Sequence, residues 1–232
     1  MVIDMSEITI DEMYRLVPEG QRQVFEPTLA DPVEERFFQI WQNWDYYPGR
    51  LEWLNRPGFP DAPRRAMRNI PGVPVSVLLP PDVIFKGPSK DVVDFYDLNK
   101  DAPFISDKLF KLIEEVDPGS LEHVEFSVRA KDAELPFHAI MPRRSLDVID
   151  PQRTKVVIED KLLGGQYFRK IEFPDGIVFD NDALRDVSNF AVIDTLGWFW
   201  SKDLIDLAQA HGVRGLYAKS KATSGEPEFA RL

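Results

Sequence analysis

Phe104-Ile105-Ser106-Asp107-Lys108-Leu109-Phe110-Lys111-Leu112 and Phe199-Trp200-Ser201-Lys202-Asp203-Leu204-Ile205-Asp206-Leu207 both follow the pattern F-x-S-x-x-L-x-x-L. Each stretch sets an aromatic anchor in an extended segment, a serine suited to cap a helix, an acidic residue in the first turn and leucines three residues apart on one face. A chain carrying this twice is expected to build two strand-to-helix units and must cover the apolar stripe of both helices. The first helix adds Ile113 and Val116 to Leu109 and Leu112, and burying these side chains is worth on the order of 6 to 12 kcal/mol before ordering entropy is subtracted. Asp117-Pro118-Gly119 and His211-Gly212 mark the two helix ends, where glycine can take the left-handed cap conformation. Such an echo arises either from a structural repeat or from strong helix-start signals that recur independently.

The segments around the echo read as strands. Val124, Phe126 and Val128 alternate with polar residues, and a turn at Lys131-Asp132 leads into Leu135 to Met141, which predicts an antiparallel hairpin. A second hairpin is expected from Tyr167 to Phe173, the turn Pro174-Asp175-Gly176, and Ile177 to Phe179. Lys155-Val156-Val157-Ile158 is a further strand. Hairpins interspersed with helices argue for an α+β fold with a mixed or antiparallel sheet and packed helices.

The N-terminal part reads as helical. Asp31-Pro32-Val33-Glu34 has the spacing of a capping box with proline at the first helical position, and Val33, Phe37, Ile40, Trp41 and Trp44 recur at helical spacing. An earlier helix is expected through Ile10, Met13, Tyr14 and Val17, ended by Pro18. Pro71, Pro74, Pro80, Pro81 and Pro88, with Gly72 and Gly87, form a connector in which Val75, Val77 and Leu79 suit a short edge strand. The expected organisation is a helical portion at 1–70 packing on a core at 75–220, with a tail at 221–232.

At 232 residues the chain can bury a sizeable core. Its 39 acidic and 28 basic side chains give a net charge of −11, which repels nucleic acid and anionic membranes and attracts a basic protein surface. The absence of cysteine removes disulfides, thiolate nucleophiles and cysteine-ligated zinc. No basic n-region with an apolar h-region opens the sequence and no apolar run approaches a membrane span, so a cytoplasmic location is expected.

A set of motifs in fixed order brings a family into view. Asp94-Phe95-Tyr96 precedes the Ile105-Ser106 helix start; Leu146-Asp147-Val148-Ile149-Asp150 and the Tyr167-Phe168-Arg169 strand follow. Trp200-Ser201-Lys202-Asp203-Leu204 and the turn Gly212-Val213-Arg214-Gly215-Leu216-Tyr217 complete it. Over about residues 75 to 220 the chain resembles the Imm11 immunity-protein family of bacterial polymorphic toxin systems, through the order and spacing of these pieces together. The resemblance implies a non-catalytic protein that binds and neutralises a partner toxin in the cytoplasm. It implies no catalytic motif and does not fix which toxin is neutralised.

Read for chemistry, the sharpest constellation is Glu159-Asp160-Lys161 after a strand, with Asp147 and Asp150 upstream. Mg²⁺-dependent nucleases hold metal with such carboxylates and orient water with such a lysine. The same residues are common at solvated strand ends, and the chain shows no basic groove for a phosphate backbone. His123, His138 and His211 lack ligand-like spacing, so no metal site is expected; His138 reads as a hydrogen-bonded core residue and His211 as a helix C-terminal one. Asp180, Asp182 and Asp186 lack the pattern of a calcium loop, and a cap is the simpler role for Asp180 or Asp182. No nucleotide-binding glycine pattern or nucleophile elbow occurs, and no cofactor is expected.

Binding is the better reading. Eight aromatics fall between Phe37 and Phe59, of which Phe37, Trp41 and Trp44 suit the core, while Tyr46, Tyr47 and Trp53 lie near turns and suit an interface. Residues 1 to 60 carry eleven acidic and five basic side chains, a local charge of −6. Tyr46, Tyr47 and Trp53 with Glu34, Glu35, Asp45 and Glu52 are therefore the candidate partner-binding residues, facing a toxin with a basic surface. The alternatives are a Mg²⁺-dependent nuclease using Glu159 and Lys161, and an accessory or structural protein of a secretion system.

Overall fold

The computed structural model describes residues 8–43, 45, 51–55, 80–97, 103–163, 166–192, 197–221 and 228–232. In chain order the elements are α1 (Ile10–Leu16), β1 (Arg22–Phe25), β2 (Phe37–Gln42), β3 (Leu51–Trp53), β4 (Val83–Phe85), β5 (Phe95–Asp97) and β6 (Pro103–Ser106). There follow α2 (Asp107–Val116), β7 (Leu121–Arg129), β8 (Glu134–Pro142), β9 (Ser145–Leu146), β10 (Val156–Leu163) and β11 (Gln166–Glu172). The last are β12 (Asn189–Val192), β13 (Gly197–Ser201), α3 (Lys202–Ala210), β14 (Leu216–Lys219) and β15 (Glu228–Arg231). Strand dominates, and the fold is α+β in the broad sense. The chain divides into two compact units, one of Met1–Phe37, Asp147–Arg185 and Ser220–Pro227, the other of Phe38–Leu146, Asp186–Lys219 and Glu228–Leu232. This division cuts across the bounds expected at 70–75 and at 220.

In the first unit, α1 is held by reciprocal capping: Thr9 Oγ1 accepts from the Glu12 N–H at 3.2 Å, and the Glu12 carboxylate accepts from the Thr9 N–H at 2.9 Å. The helix ends before Pro18 and buries Ile10, Met13 and Val17, as its pattern predicts. The sheet has the order β1-β10-β11, antiparallel throughout. The turn Pro174-Asp175-Gly176 forms, with the Gly176 N–H donating to the Phe173 carbonyl at 3.2 Å and Gly176 at φ +100°. The expected hairpin across it does not. The partner of β11 is β10, while Phe179 bridges to Ile149 and the Ile177 N–H donates to the Lys221 carbonyl.

The expected helix from Asp31 is not there either, so among the described residues the α-helical part of the N-terminal portion is α1. Residues 31–36 are extended and Phe37–Gln42 is a strand. Phe37, Phe38, Gln39, Ile40 and Gln42 are all buried, which requires both sides of the backbone to be covered; a surface helix buries one stripe only. Long-range bonds fix the extended approach, since the Glu35 carboxylate accepts from Ser220 Oγ and the Lys221 N–H, and the Glu34 carbonyl accepts from Asn181 Nδ2.

The second unit contains two six-stranded sheets, ordered β5-β6-β8-β7-β4-β3 and β9-β12-β13-β2-β14-β15. The predicted hairpin is β7–β8, registered from Leu121 opposite Pro142 to Arg129 opposite Glu134. β4 lies inside the proline-rich connector and pairs parallel with β7, so breakers flank a buried strand there; Val75, Val77 and Leu79 lie outside the described residues. The end of the expected tail is the strand β15 on β14.

The echo proves to be a structural repeat. β5, β6, α2 and β7 form one half; β12, β13, α3 and β14 form the other. In both, an antiparallel hairpin feeds a helix through a serine N-cap: Ser106 at φ −64°, ψ 155° and Ser201 at φ −64°, ψ 153°, each accepting from an N–H three residues on at 3.2 Å. Each six-stranded sheet then inserts one strand between the hairpin and the strand that follows the helix. That strand is β8 in one and β2 in the other. The two helices pack together in a shared apolar core of Leu109, Leu112, Ile113, Leu204, Ile205 and Ala208 with Ile105, Ile140, Trp200 and Leu216. The opposite side of the β5–β3 sheet has its own core around Phe85, Tyr96, Phe104, Phe126 and Phe137.

Candidate functional site

Two buried carboxylates lock the halves together. Asp94 opens the first hairpin; its Oδ1 accepts from Ser106 Oγ at 2.7 Å, its Oδ2 accepts from the Arg214 N–H at 2.9 Å, and Lys108 Nζ lies 3.1 Å away. Asp117 ends α2; it accepts from Arg144 at 2.5 and 2.7 Å and from the N–H groups of Ser188 and Asn189 at 3.0 and 3.2 Å. The loop after each helix thus holds the start of the other half's hairpin. Gly215 must be glycine in this arrangement: its φ is +102°, and a Cβ would stand 2.8 Å from the Phe95 carbonyl. Asp94-Phe95-Tyr96, Ser106 and Gly212-Val213-Arg214-Gly215, separate pieces in the sequence, therefore meet at one node.

A second cluster combines imidazoles with a carboxylate. β7 and β8 pair so that Glu125 lies directly opposite His138, and His123, two residues along β7, shares that face. One ligand atom from each of His123, Glu125 and His138 lies within 4.8 Å of the others. Phe110 of α2 stacks on the His138 ring at 4.0 Å and tilts against His123 at 4.4 Å. His138 is only 4% exposed; its Nε2 lies 3.3 Å from Asp107 Oδ1, and its Nδ1 is buried with no hydrogen-bond partner. Burial pushes the His138 pKa down, against the opposing pull of Asp107, so the neutral ring is favoured. Lys111, hydrogen-bonded at 2.6 Å, holds Asp107 below the usual carboxylate range, with His138 adding to the effect.

His138 is the buried, hydrogen-bonded histidine expected, and His211 does stand at the α3 C-cap. The expected separation of the histidines is corrected: the His123 and His138 rings are 5.3 Å apart. Spacing along the chain hides this, because His138 follows His123 by 15 positions around a hairpin. The turn at Lys131-Asp132 contains the missing signal, since folding the sequence about it sets residue 125 against 138.

The candidate partner-binding residues fall in both units. Glu34 is exposed and Glu35 is half-buried, its carboxylate committed to Ser220 and Lys221, so Glu35 is a tether. Asp45 and Glu52 are exposed, with Glu52 paired to Lys86. Trp53 is half-buried, edge-on to Phe104 at 5.1 Å, its Nε1 donating to Asn55 Oδ1, and is a packing residue as much as a surface one. Tyr46 and Tyr47 lie outside the described residues, as does Trp44.

Two carboxylates of the nuclease constellation, Glu159 and Asp150, have basic neighbours. Glu159 sits between Arg22 and Lys170 on the neighbouring strands, a cross-strand charge ladder. Asp150 caps its own turn, accepting from the Gln152 and Arg153 N–H groups and pairing with the Arg153 guanidinium at 2.6 Å. Asp180 caps likewise, accepting from Asp182 and Ala183. Among the described residues no helix is long and apolar enough to cross a membrane. No protein-family model matches this chain, and no curated protein does.

Proposed function

We propose that this chain is a non-enzymatic, cytoplasmic immunity protein of the Imm11 type that binds a cognate toxin bearing a basic surface and blocks it by covering it. The observation that carries this reading is the use made of the acidic groups. The buried carboxylates among the described residues, Asp94 and Asp117, are saturated by backbone N–H groups, a serine, a lysine and an arginine, which makes them framework. Acids such as Glu34, Asp45 and Glu52 remain at the surface of a chain with a net charge of −11, where they can steer a cationic partner without a reaction of their own.

Co-expression with the toxin encoded beside it tests this: cells producing the toxin should survive with this protein and die without it. Reversing Glu34, Asp45 and Glu52 to lysine should slow association and flatten its dependence on salt, with the fold unchanged. Cleavage of DNA or RNA by the pure protein with Mg²⁺, abolished by Glu159→Ala, would overturn the reading.

A further inference from the structure

We propose that His123, Glu125 and His138 form a binding site for a divalent transition-metal ion of the Zn²⁺ class, with a fourth position open to water. Three atoms no more than 4.8 Å apart always admit a point within about 2.8 Å of each (4.8/√3). Zinc bonds to nitrogen and carboxylate oxygen run to roughly 2.0–2.2 Å, so closing the site requires side-chain movements of under about 1 Å. Two imidazoles and one carboxylate make a borderline donor set that suits Zn²⁺ and disfavours Mg²⁺ and Ca²⁺, which prefer all-oxygen shells.

The second, independent observation is the His138 ring itself. Asp107 can only accept, so its contact with Nε2 places the ring proton there and leaves the lone pair on Nδ1. That nitrogen is buried and meets no donor, an arrangement that leaves hydrogen-bonding capacity unused unless a cation takes it. A carboxylate behind a histidine is also the usual means of fixing a metal-binding imidazole, and Phe110 stacked on the ring holds its plane. His123 and Glu125 have side chains 35% and 78% exposed, which gives an ion a route in from solvent and room for the water. The corresponding helix position in the other half is Ile205 where this one has Phe110, and there it is buried in plain core.

The test uses the full chain stripped with chelator. Titration with Zn²⁺ by calorimetry should show one equivalent binding at micromolar or tighter dissociation constant, with a rise in Tm, and Co²⁺ should give the intense visible absorption of a four-coordinate ion. His123→Ala and Glu125→Gln alter exposed groups and should keep the circular dichroism of the parent while weakening Zn²⁺ at least tenfold. His138→Gln serves as a third variant if it folds. No binding at tenfold excess, or binding equal in the parent and both exposed-site variants, would overturn the proposal.

Discussion

The two halves of the repeat share their framework and differ in their chemistry. Both begin with a hairpin, turn into a helix at a serine with nearly identical backbone angles, and end in a loop that clasps the other half. Yet the first helix starts with Asp107 paired to Lys111 at 2.6 Å, and the second with Lys202 paired to Asp206 at 2.5 Å, the same i, i+4 bridge with its charges exchanged. Tyr96 on the first hairpin donates no ring-for-ring match either: it faces Phe104 and its hydroxyl accepts from the Val93 N–H at 3.0 Å, while Phe190 faces Phe199 with no hydroxyl. What recurs is what a strand-to-helix unit needs in order to fold. What diverges, above all the His138 environment under Phe110, is free to serve something else.

The largest effects should come from the clasps. Asp117→Ala strips Arg144 and two backbone N–H groups of their partner and should lower stability by about 3–4 kcal/mol; Asp94→Ala, whose lysine is more exposed, by about 2–3 kcal/mol. Urea unfolding measures both. If the clasps are equivalent parts of a repeat, each loss should lower the midpoint without splitting the transition.

Tyr96 sharpens the contrast at high pH. Burial pushes its pKa up from 10.0 to about 12, against the Val93 hydrogen bond that pulls the other way. The unfolded chain then releases the phenol proton first, so stability is intact below pH 10 and falls between about pH 10 and 12, by up to roughly 2–3 kcal/mol. Tyr96→Phe, which copies the second half, should cost about 1 kcal/mol at neutral pH and remove this part of the alkaline decline. An unchanged alkaline limb in the variant would contradict the assignment.

Smaller effects follow at the helix starts. Ser201→Ala should cost about 1 kcal/mol, and Ser106→Ala somewhat more, because Ser106 Oγ also donates to Asp94. Exchanging the pair in the second helix, Lys202→Asp with Asp206→Lys, places the acid at the positive end as in the first half and should stabilise by about 0.3–0.5 kcal/mol at low salt. Thermal melting at two ionic strengths separates these contributions.

Local signals were legible in the sequence where a short stretch decides the structure. The serine caps, the two helix ends, α1, the β7–β8 hairpin and the Pro174-Asp175-Gly176 turn all follow from neighbouring residues. Most of the failures share one cause, a partner far away in the chain. Asp31-Pro32-Val33-Glu34 is a sound helix start in isolation, but β2 gains more from lying between β13 and β14 with both sides covered. β11 is the exception, since it pairs with β10, the strand just before it in the chain, and not with the residues past its own turn. Neither the 120-residue reach from Asp94 to Arg214 nor the 72-residue reach from Asp117 to Asn189 has any local trace. The His123–Glu125–His138 cluster lies between these cases, readable only once a hairpin register is assumed.

Inhibition by covering has a stoichiometry, and inhibition by chemistry does not. Titrating the pure toxin with this protein and reading residual toxin activity tests the distinction directly. Covering should give a linear fall to zero at one equivalent, complete as soon as binding is complete and reversed when the two are separated. Loss of activity at a small fraction of an equivalent, growing with time and surviving separation, would mean that the toxin is being modified and would contradict it.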